Sequence, residues 1–253
     1  MAMSLGQRFA AVGQVVQART SRRFRPVVEA LARHIEPGSV CLDIGANHGK
    51  FAKELARAHG GRCAVWCFEP MPYNLALLRR VVRWMPNVRV LDVGLSDEPG
   101  EATLYVPVKA SGRLVHGSAH TGDEANAEHF GVSNSARVEP VTVRVERLDD
   151  IAARAGAGRI SFMKIDVEGA EYKVLAGARR VLAEHAPAIW CELIREYPRR
   201  HGLEVADTVD LLRDAGYRAY LLDDATGAPR PADPTERDTG DYLFLKNNAP
   251  APA

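Results

Sequence analysis

Five short, densely apolar runs, at 40–44, 63–68, 88–95, 160–165 and 188–194, punctuate this 253-residue chain. Runs of that length and density suit strands buried on both faces, and therefore a parallel sheet. Between and after them, 50–59, 73–84, 172–185 and 205–215 repeat apolar residues at helical spacing. Strand-helix-strand units join parallel strands by right-handed crossovers and cover both faces, which predicts a doubly wound α/β domain. About 250 residues suffice to close such a domain around one core.

Two stretches depart from that rhythm. After the third run, 102–108 and 141–145 read as extended, the second alternating Val141, Val143 and Val145 with Thr142 and Arg144. They predict a β insertion after strand 3. The intervening 109–137, rich in Gly, Ser, His and Asn, reads as a functional lid or a mobile segment. Near the end, 217–222 and 242–245 read as two strands joined by a loop with Pro229, Pro231 and Pro234, and 248–253 as a disordered tail.

Charge narrows the partner. Thirty-three basic side chains face 32 acidic ones, and a net +1 creates no overall field for a polyanion. With no nucleic-acid motif, a small partner is expected. The balance is uneven, because residues 1–35 carry six arginines and one acid, Glu29, a local +5 that leaves about −4 elsewhere. This segment reads as a basic helical extension ahead of a catalytic domain at 36–247. It suits a solvated face, or a contact with an acidic partner, another copy or an anionic membrane. No apolar run approaches the roughly 18 residues that span a bilayer, and the start lacks a secretory signal's apolar stretch, so a cytoplasmic protein is expected.

Cysteine usage agrees. Cys63 and Cys67, four residues apart in one strand, would lie roughly 13 Å apart, beyond disulfide reach. Cys41 and Cys191 also sit in apolar runs and no Cys-x-x-Cys occurs, so all four read as small buried hydrophobes.

The chemistry begins where the first run enters Asp43-Ile44-Gly45-Ala46-Asn47-His48-Gly49-Lys50-Phe51. A glycine turn at the carboxyl end of the first strand lets a ligand approach the backbone and the amides of the next helix. The candidate cofactor residues are Asp43, Gly45, Asn47, Gly49 and Phe51; the bland alternative is a tight turn that uses glycine for its dihedrals alone. Asn47 and Lys50 stand where a dinucleotide fingerprint needs its second and third glycines, so a nicotinamide or flavin cofactor loses support. No phosphate-cradling Gly-x-x-x-x-Gly-Lys sequence occurs either. An acidic Asp43 at the mouth would repel phosphate and suit a cationic cofactor such as S-adenosylmethionine, which carries an ammonium and a sulfonium. Glu69, in Phe68-Glu69-Pro70, falls 20 residues after Gly49, near the offset at which an acid accepts ribose hydroxyls. Ser96 and Asp97, ending the third run, are placed near the adenine, although Ser-Asp before Pro99-Gly100 is also ordinary turn composition.

Together these pieces resemble the FkbM family of S-adenosylmethionine-dependent methyltransferases. Also matching, in order, are Leu148-Asp149, the run Lys164-Ile165-Asp166-Val167-Glu168-Gly169-Ala170-Glu171, then Leu175-Ala176-Gly177-Ala178 and Glu192. The first turn is generic among methyltransferases, whereas the Lys164 to Glu171 run is specific, and the match covers about 38–195. The resemblance implies a Rossmann-like class I methyltransferase, a mostly parallel seven-stranded sheet with an antiparallel last strand. It further implies O-methylation of a hydroxyl on a sugar or polyketide-type product. The N-terminal helix and 109–137 lie outside it.

Methyl transfer from a sulfonium is an in-line displacement that depends on holding acceptor, carbon and sulfur in line. Asp166, at the carboxyl end of the fourth run, is the first candidate to orient the acceptor or take its proton, with helix capping the alternative. Glu168 is second, and Glu171 favours the helix N-terminus. Lys164, two residues before Asp166, shares its strand face and would hold that carboxylate ionised. His116, or His120, would supply a base from the 109–137 segment. A magnesium site on Asp166, Glu168 and Glu192 is conceivable from carboxylate chemistry but is not favoured. A non-catalytic scaffold that keeps the fold and docks a partner through Arg22, Arg23 and Arg25 is the main alternative.

Overall fold

Strand register, summed over distant parts of the chain, is what assembles the molecule. The computed structural model describes residues 5–109, 120–121, 135–223 and 225–247, with side chains over 11–107, 138–223 and 225–247. The first half contains α1 (Leu5–Thr20), α2 (Arg25–Leu31), β1 (Val40–Ile44), α3 (Lys50–Leu55), β2 (Ala64–Phe68), α4 (Pro72–Val81), β3 (Val88–Leu91), β4 (Gly94–Leu95), β5 (Gly100–Lys109) and β6 (His120–Thr121). The second half adds β7 (Ser135–Glu146), α5 (Leu148–Arg154), β8 (Ile160–Ile165), α6 (Glu171–Ala176), α7 (Arg179–Glu184), β9 (Ala188–Ile194), α8 (Val205–Asp214), β10 (Tyr217–Leu222), β11 (Pro229–Pro231) and β12 (Thr239–Lys246).

The main sheet runs β11-β10-β12-β9-β8-β1-β2-β3, with β12 antiparallel to both β9 and β10. This is the doubly wound, Rossmann-like α/β fold with its reversed last strand. The expected seven strands become eight because Pro229 to Pro231 adds a three-residue edge strand beside β10. Prolines suit that place, since an outer edge needs no amide donor. One sheet face packs Leu42, Ile44, Met163 and Ile165 against Leu148, Val174, Leu182 and Leu212 of α5–α8. The other packs Cys41, Val65, Cys67 and Phe162 against Leu31, Phe51, Leu55 and Leu78 of α2–α4. Each fully buried leucine contributes about 2 kcal/mol to holding the layers together. All four cysteines are free and buried in these layers.

Three expectations change. The run 88–95 is not one strand: it leaves the main sheet after Leu91, and Gly94–Leu95 pairs with β7 in a second, four-stranded sheet ordered β4-β7-β5-β6. That sheet is the β insertion, and β5 and β7 are longer than the pattern at 102–108 and 141–145 implied. The helix at 172–185 is two helices, broken at Gly177 and Ala178. A Cβ on Gly177 would fall 2.1 Å from the Ser96 carbonyl oxygen, so the second sheet's turn is seated against this break. The Asp149 carboxylate accepts hydrogen bonds from the Arg180 and Val181 amides at 2.9 Å, capping α7 from another element. Finally, the basic segment docks on the domain. Ala11 and Ala18 of α1 are buried, the Tyr73 hydroxyl donates to Gln14 Oε1 at 2.7 Å, and the buried Lys53 ammonium donates to the Arg19 carbonyl at 2.9 Å.

Candidate active site

Register brings the chemistry to one edge. Ile44 pairs with Phe68 and with Ile165, and Ile165 with Cys191. The next residues on three of these strands, Gly45, Glu69 and Asp166, therefore leave the sheet at its carboxyl edge, where open α/β sheets bind ligands, and Glu192 stands next in line on β9, which runs on beside β12 to Ile194.

The glycine turn is closed on the protein. The amides of Gly45 and Ala46 donate to the Phe68 carbonyl at 3.1 and 3.0 Å, and that of Gly49 to the Ala46 carbonyl at 2.8 Å. The Asn47 amide donates to Glu69 Oε2 at 2.7 Å. These four amides are thus spent inside the fold instead of being offered to a ligand. Gly45 is required for a second reason besides its φ of +75°: a Cβ there would fall 1.9 Å from the Asp166 carbonyl oxygen. The turn and the Asp166 loop touch backbone to backbone.

Glu69 ties two loops together. Its Oε2 takes the Asn47 amide and its Oε1 the Met71 amide at 2.9 Å, while the residue is 4% exposed. Burial pushes its carboxyl up to about 7 against those two amides and the Asn74 side chain. With the Asn74 side chain as a third donor, one of the carboxylate's roughly four acceptor sites is left.

Lys164 occupies the floor. Its ammonium donates to the Gly45 carbonyl at 2.8 Å and lies 3.4 Å from the Asp43 carboxylate and 3.1 Å from that of Asp166. Burial works to neutralise it, but Asp166 and Asp43 outweigh burial and raise its pKa, so it stays cationic. Asp43 is entirely buried, below the turn and not at its mouth. Burial pushes its carboxyl up and Lys164 opposes the shift.

Past Asp166 the chain takes a strained turn, with Glu168 at φ +58°, a conformation costing about 1–3 kcal/mol outside glycine. The buried Glu171 carboxylate holds the turn by accepting the Val167 and Gly169 amides at 3.3 and 3.0 Å. Burial, then Asp166 and Glu171, push Glu168 up to about 7 against the pull of Arg200 and Tyr197. Burial, Asp166 and Asp241 push Glu192 up to about 8. Among the described residues no group of three or more His, Cys, Asp or Glu side chains could hold a metal ion.

A cavity of about 130 Å³ opens between the glycine turn and the second sheet. Of the residues singled out from sequence, Gly45, Asn47, Glu69, Pro70, Asp166 and Glu168 line it. Asp43 and Lys164 lie beneath the turn, Gly49 ends the turn against Leu78 of α4, and Phe51 is in the core, with its ring stacked on Phe162 and edge-on to Phe24. Ser96 and Asp97 do not line it, because the chain has already left the main sheet and the Ser96 amide donates to the Glu146 carbonyl at 3.0 Å. In their place the far wall is Leu95, Ala102, Leu104, Val143 and Val145, with Met71 and Asn74 at the near side. The alternation at 141–145 signals that the β7 valines share a face; nothing local says that this face meets Glu69. Arg200 and Tyr197, stacked at 4.2 Å beside Glu168, were also not anticipated. His116 lies outside the described residues, and His120 is described only as backbone, paired with Tyr105.

The model of the methyltransferase FkbM domain matches residues 43–219. The chain belongs to the FkbM methyltransferase family. It is an S-adenosylmethionine-dependent methyltransferase. The chain is 30% identical over 209 residues to the 31-O-demethyl-FK506 methyltransferase FkbM of Streptomyces tacrolimicus, covering 75% of this chain and 76% of that one. It is 28% identical over 185 residues to the 2-O-methyltransferase NoeI of Sinorhizobium fredii, covering 72% and 74%. Against the AMB antimetabolite synthetase AmbE of Pseudomonas aeruginosa it is 30% identical over 248 residues, which is 78% of this chain but 12% of that protein. The crystal structure of methyltransferase FkbM from Methylobacillus flagellatus superposes with a TM-score of 0.50 at 17% identity, over 94% of this chain and 59% of that one, a likeness of fold.

Proposed function

We propose that this FkbM methyltransferase moves a methyl group from S-adenosylmethionine to a hydroxyl of a small molecule, with the donor in the cavity beside Glu69. The observation that carries this reading is Glu69, a buried carboxylate at the cavity wall whose bonds to the Asn47 and Met71 amides and the Asn74 side chain leave one acceptor site. That site suits a ribose hydroxyl, and Leu95, Ala102, Leu104, Val143 and Val145 give an apolar face to a flat base. Glycine at 45 lets the turn meet the Asp166 loop backbone to backbone at the cavity's edge. Bound S-adenosylmethionine supplies an electrophilic methyl whose sulfonium leaves as a neutral thioether. Asp166, paired with the Lys164 ammonium at 3.1 Å, accepts a hydrogen bond from the acceptor hydroxyl and aims its oxygen. Glu168, poised near 7, takes the proton as the carbon-oxygen bond forms, since a base works best with a pKa near the working pH. The names of the Streptomyces and Sinorhizobium relatives, both O-methyltransferases, support oxygen as the acceptor atom.

The test is calorimetry with S-adenosylhomocysteine followed by mass spectrometry of sugars and natural products incubated with enzyme and donor. Saturable binding and a cofactor-dependent gain of one methyl on oxygen are expected. Binding without transfer to any acceptor would favour the scaffold alternative, and absence of binding would overturn the proposal.

A further inference from the structure

The outer surface of α1 and α4 carries apolar side chains among arginines, on the flank of the domain. Val12, Val16 and Trp84 are 59%, 55% and 73% exposed, and they are the large hydrophobic residues left in water among the described side chains. Val12, Val16 and Arg19 stand at i, i+4 and i+7, so they form one stripe along α1. Gln14 bonds Tyr73 at the start of α4 and Arg19 bonds the Arg80 carbonyl near its end, so the two helices lie alongside one another in the same direction. Arg19 also shares a shallow depression with Arg57 and Trp84, which joins the α1 stripe to the indole. The Arg83 guanidinium lies 4.4 Å above that indole.

Charge on this flank is mostly basic, with Asp92 beside α4 already paired to Arg79 at 3.3 Å. Across 5–20, 50–63 and 72–87 the single acid is Glu54. It is 6% exposed and already engaged by Lys53 at 3.2 Å and Arg57 at 3.6 Å. Arg19, Arg80 and Arg83 are exposed with no acidic side chain presented beside them on these segments.

We infer that this flank docks on an anionic lipid bilayer. Arginines pair with anionic headgroups, and a tryptophan with a cation on its ring has the amphipathic form that settles at a membrane-water interface. Two valines one helical turn apart add apolar area that an interface buries and that a purely phosphate-binding surface would not need. The docked surface is the outside of the helical layer, so the protein rests on the bilayer without crossing it, and no described helix is long and apolar enough to cross.

The experiment is flotation of the full chain with phosphatidylcholine vesicles, with and without phosphatidylserine, together with tryptophan emission. Trp66 and Trp190 are 8% and 9% exposed, so a blue shift on binding reports Trp84. Binding only to vesicles containing phosphatidylserine is expected, falling with added salt. Arg80→Gln with Arg83→Gln should weaken it roughly tenfold or more. Trp84→Ala should abolish the blue shift while leaving thermal melting and methyl transfer to a soluble acceptor unchanged. No dependence on phosphatidylserine, or binding indifferent to these variants, would overturn the inference. So would a dimer that Trp84→Ala dissolves, or capture of RNA or an acidic polypeptide without vesicle binding.

Discussion

The ammonium of Lys164 stands 3.4 Å from the carboxylate of Asp43, two residues that face each other in register across β1 and β8 and that are 8% and 0% exposed in their side chains. Neither charge is tenable alone at that depth. Lys164→Met should therefore lower unfolding free energy by about 3–5 kcal/mol, the usual cost of stranding a buried partner. Urea denaturation of Lys164→Met, Asp43→Asn and the double variant checks this: the double variant should recover at least about 1 kcal/mol relative to the sum of the singles. Strict additivity would mean that the two side chains are independent.

Gly45→Ala asks for a methyl where the Asp166 carbonyl already sits, in a left-handed backbone. Strain and overlap together should cost about 2–4 kcal/mol. Because the displaced neighbour is the Asp166 loop, cofactor affinity should fall along with the melting temperature. A variant that melts like the parent and binds normally would show that the turn has room to spare.

Glu69 must shed its proton to accept a ribose hydroxyl beside its three protein donors, and burial holds its carboxyl near 7. Affinity for S-adenosylhomocysteine should accordingly tighten as pH rises through about 7 and level off above. Glu69→Gln should bind roughly tenfold or more weakly and lose this pH dependence. Calorimetry across that range decides, and a Glu69→Gln protein of unchanged affinity would remove the ribose assignment.

Turnover should rise with pH through about 7 as Glu168 ionises, and Glu168→Gln should flatten the profile while slowing the reaction about 10²–10⁴-fold. Asp166→Asn should reduce kcat more than cofactor affinity. Equal losses in both would make Asp166 a cofactor or structural residue, and an unchanged profile in Glu168→Gln would place the base elsewhere.

Asp149 caps α7 from the start of α5, bonding the Arg180 and Val181 amides. Asp149→Ala should cost about 0.5–2 kcal/mol, with Asp149→Asn recovering most of it. The expected loss is in stability with little change in kcat, as read by thermal melting beside a methyl-transfer assay.

Much of this architecture is legible before any coordinates. The runs at 40–44, 160–165 and 188–194 are strands at those bounds, because an apolar segment of five to seven residues between turn signals has few other uses. Glu69 and Asp166 were placed at one edge because both follow parallel strands directly. Ser96 and Asp97 illustrate the limit. Continuity of apolar character from 88 to 95 concealed a change of sheet at Asp92, since both sheets bury the chain and hydrophobicity does not say against what. The break at Gly177 was hidden for a similar reason, as helical spacing continues across it and the glycine is explained by the Ser96 carbonyl, 81 residues earlier.

The chain's own order therefore determined element type, the parallel sheet and the family, since periodicity and turn chemistry act over a few neighbouring residues. Tertiary structure alone decided what each polar group faces. Asp43 went beneath the turn to Lys164, the turn's amides went to Phe68 and Glu69, and the far wall of the cavity came from Ala102, Leu104, Val143 and Val145. Those outcomes rest on register and on sheet-to-sheet packing, which sum many contacts between residues far apart in sequence and leave no local mark on any one of them.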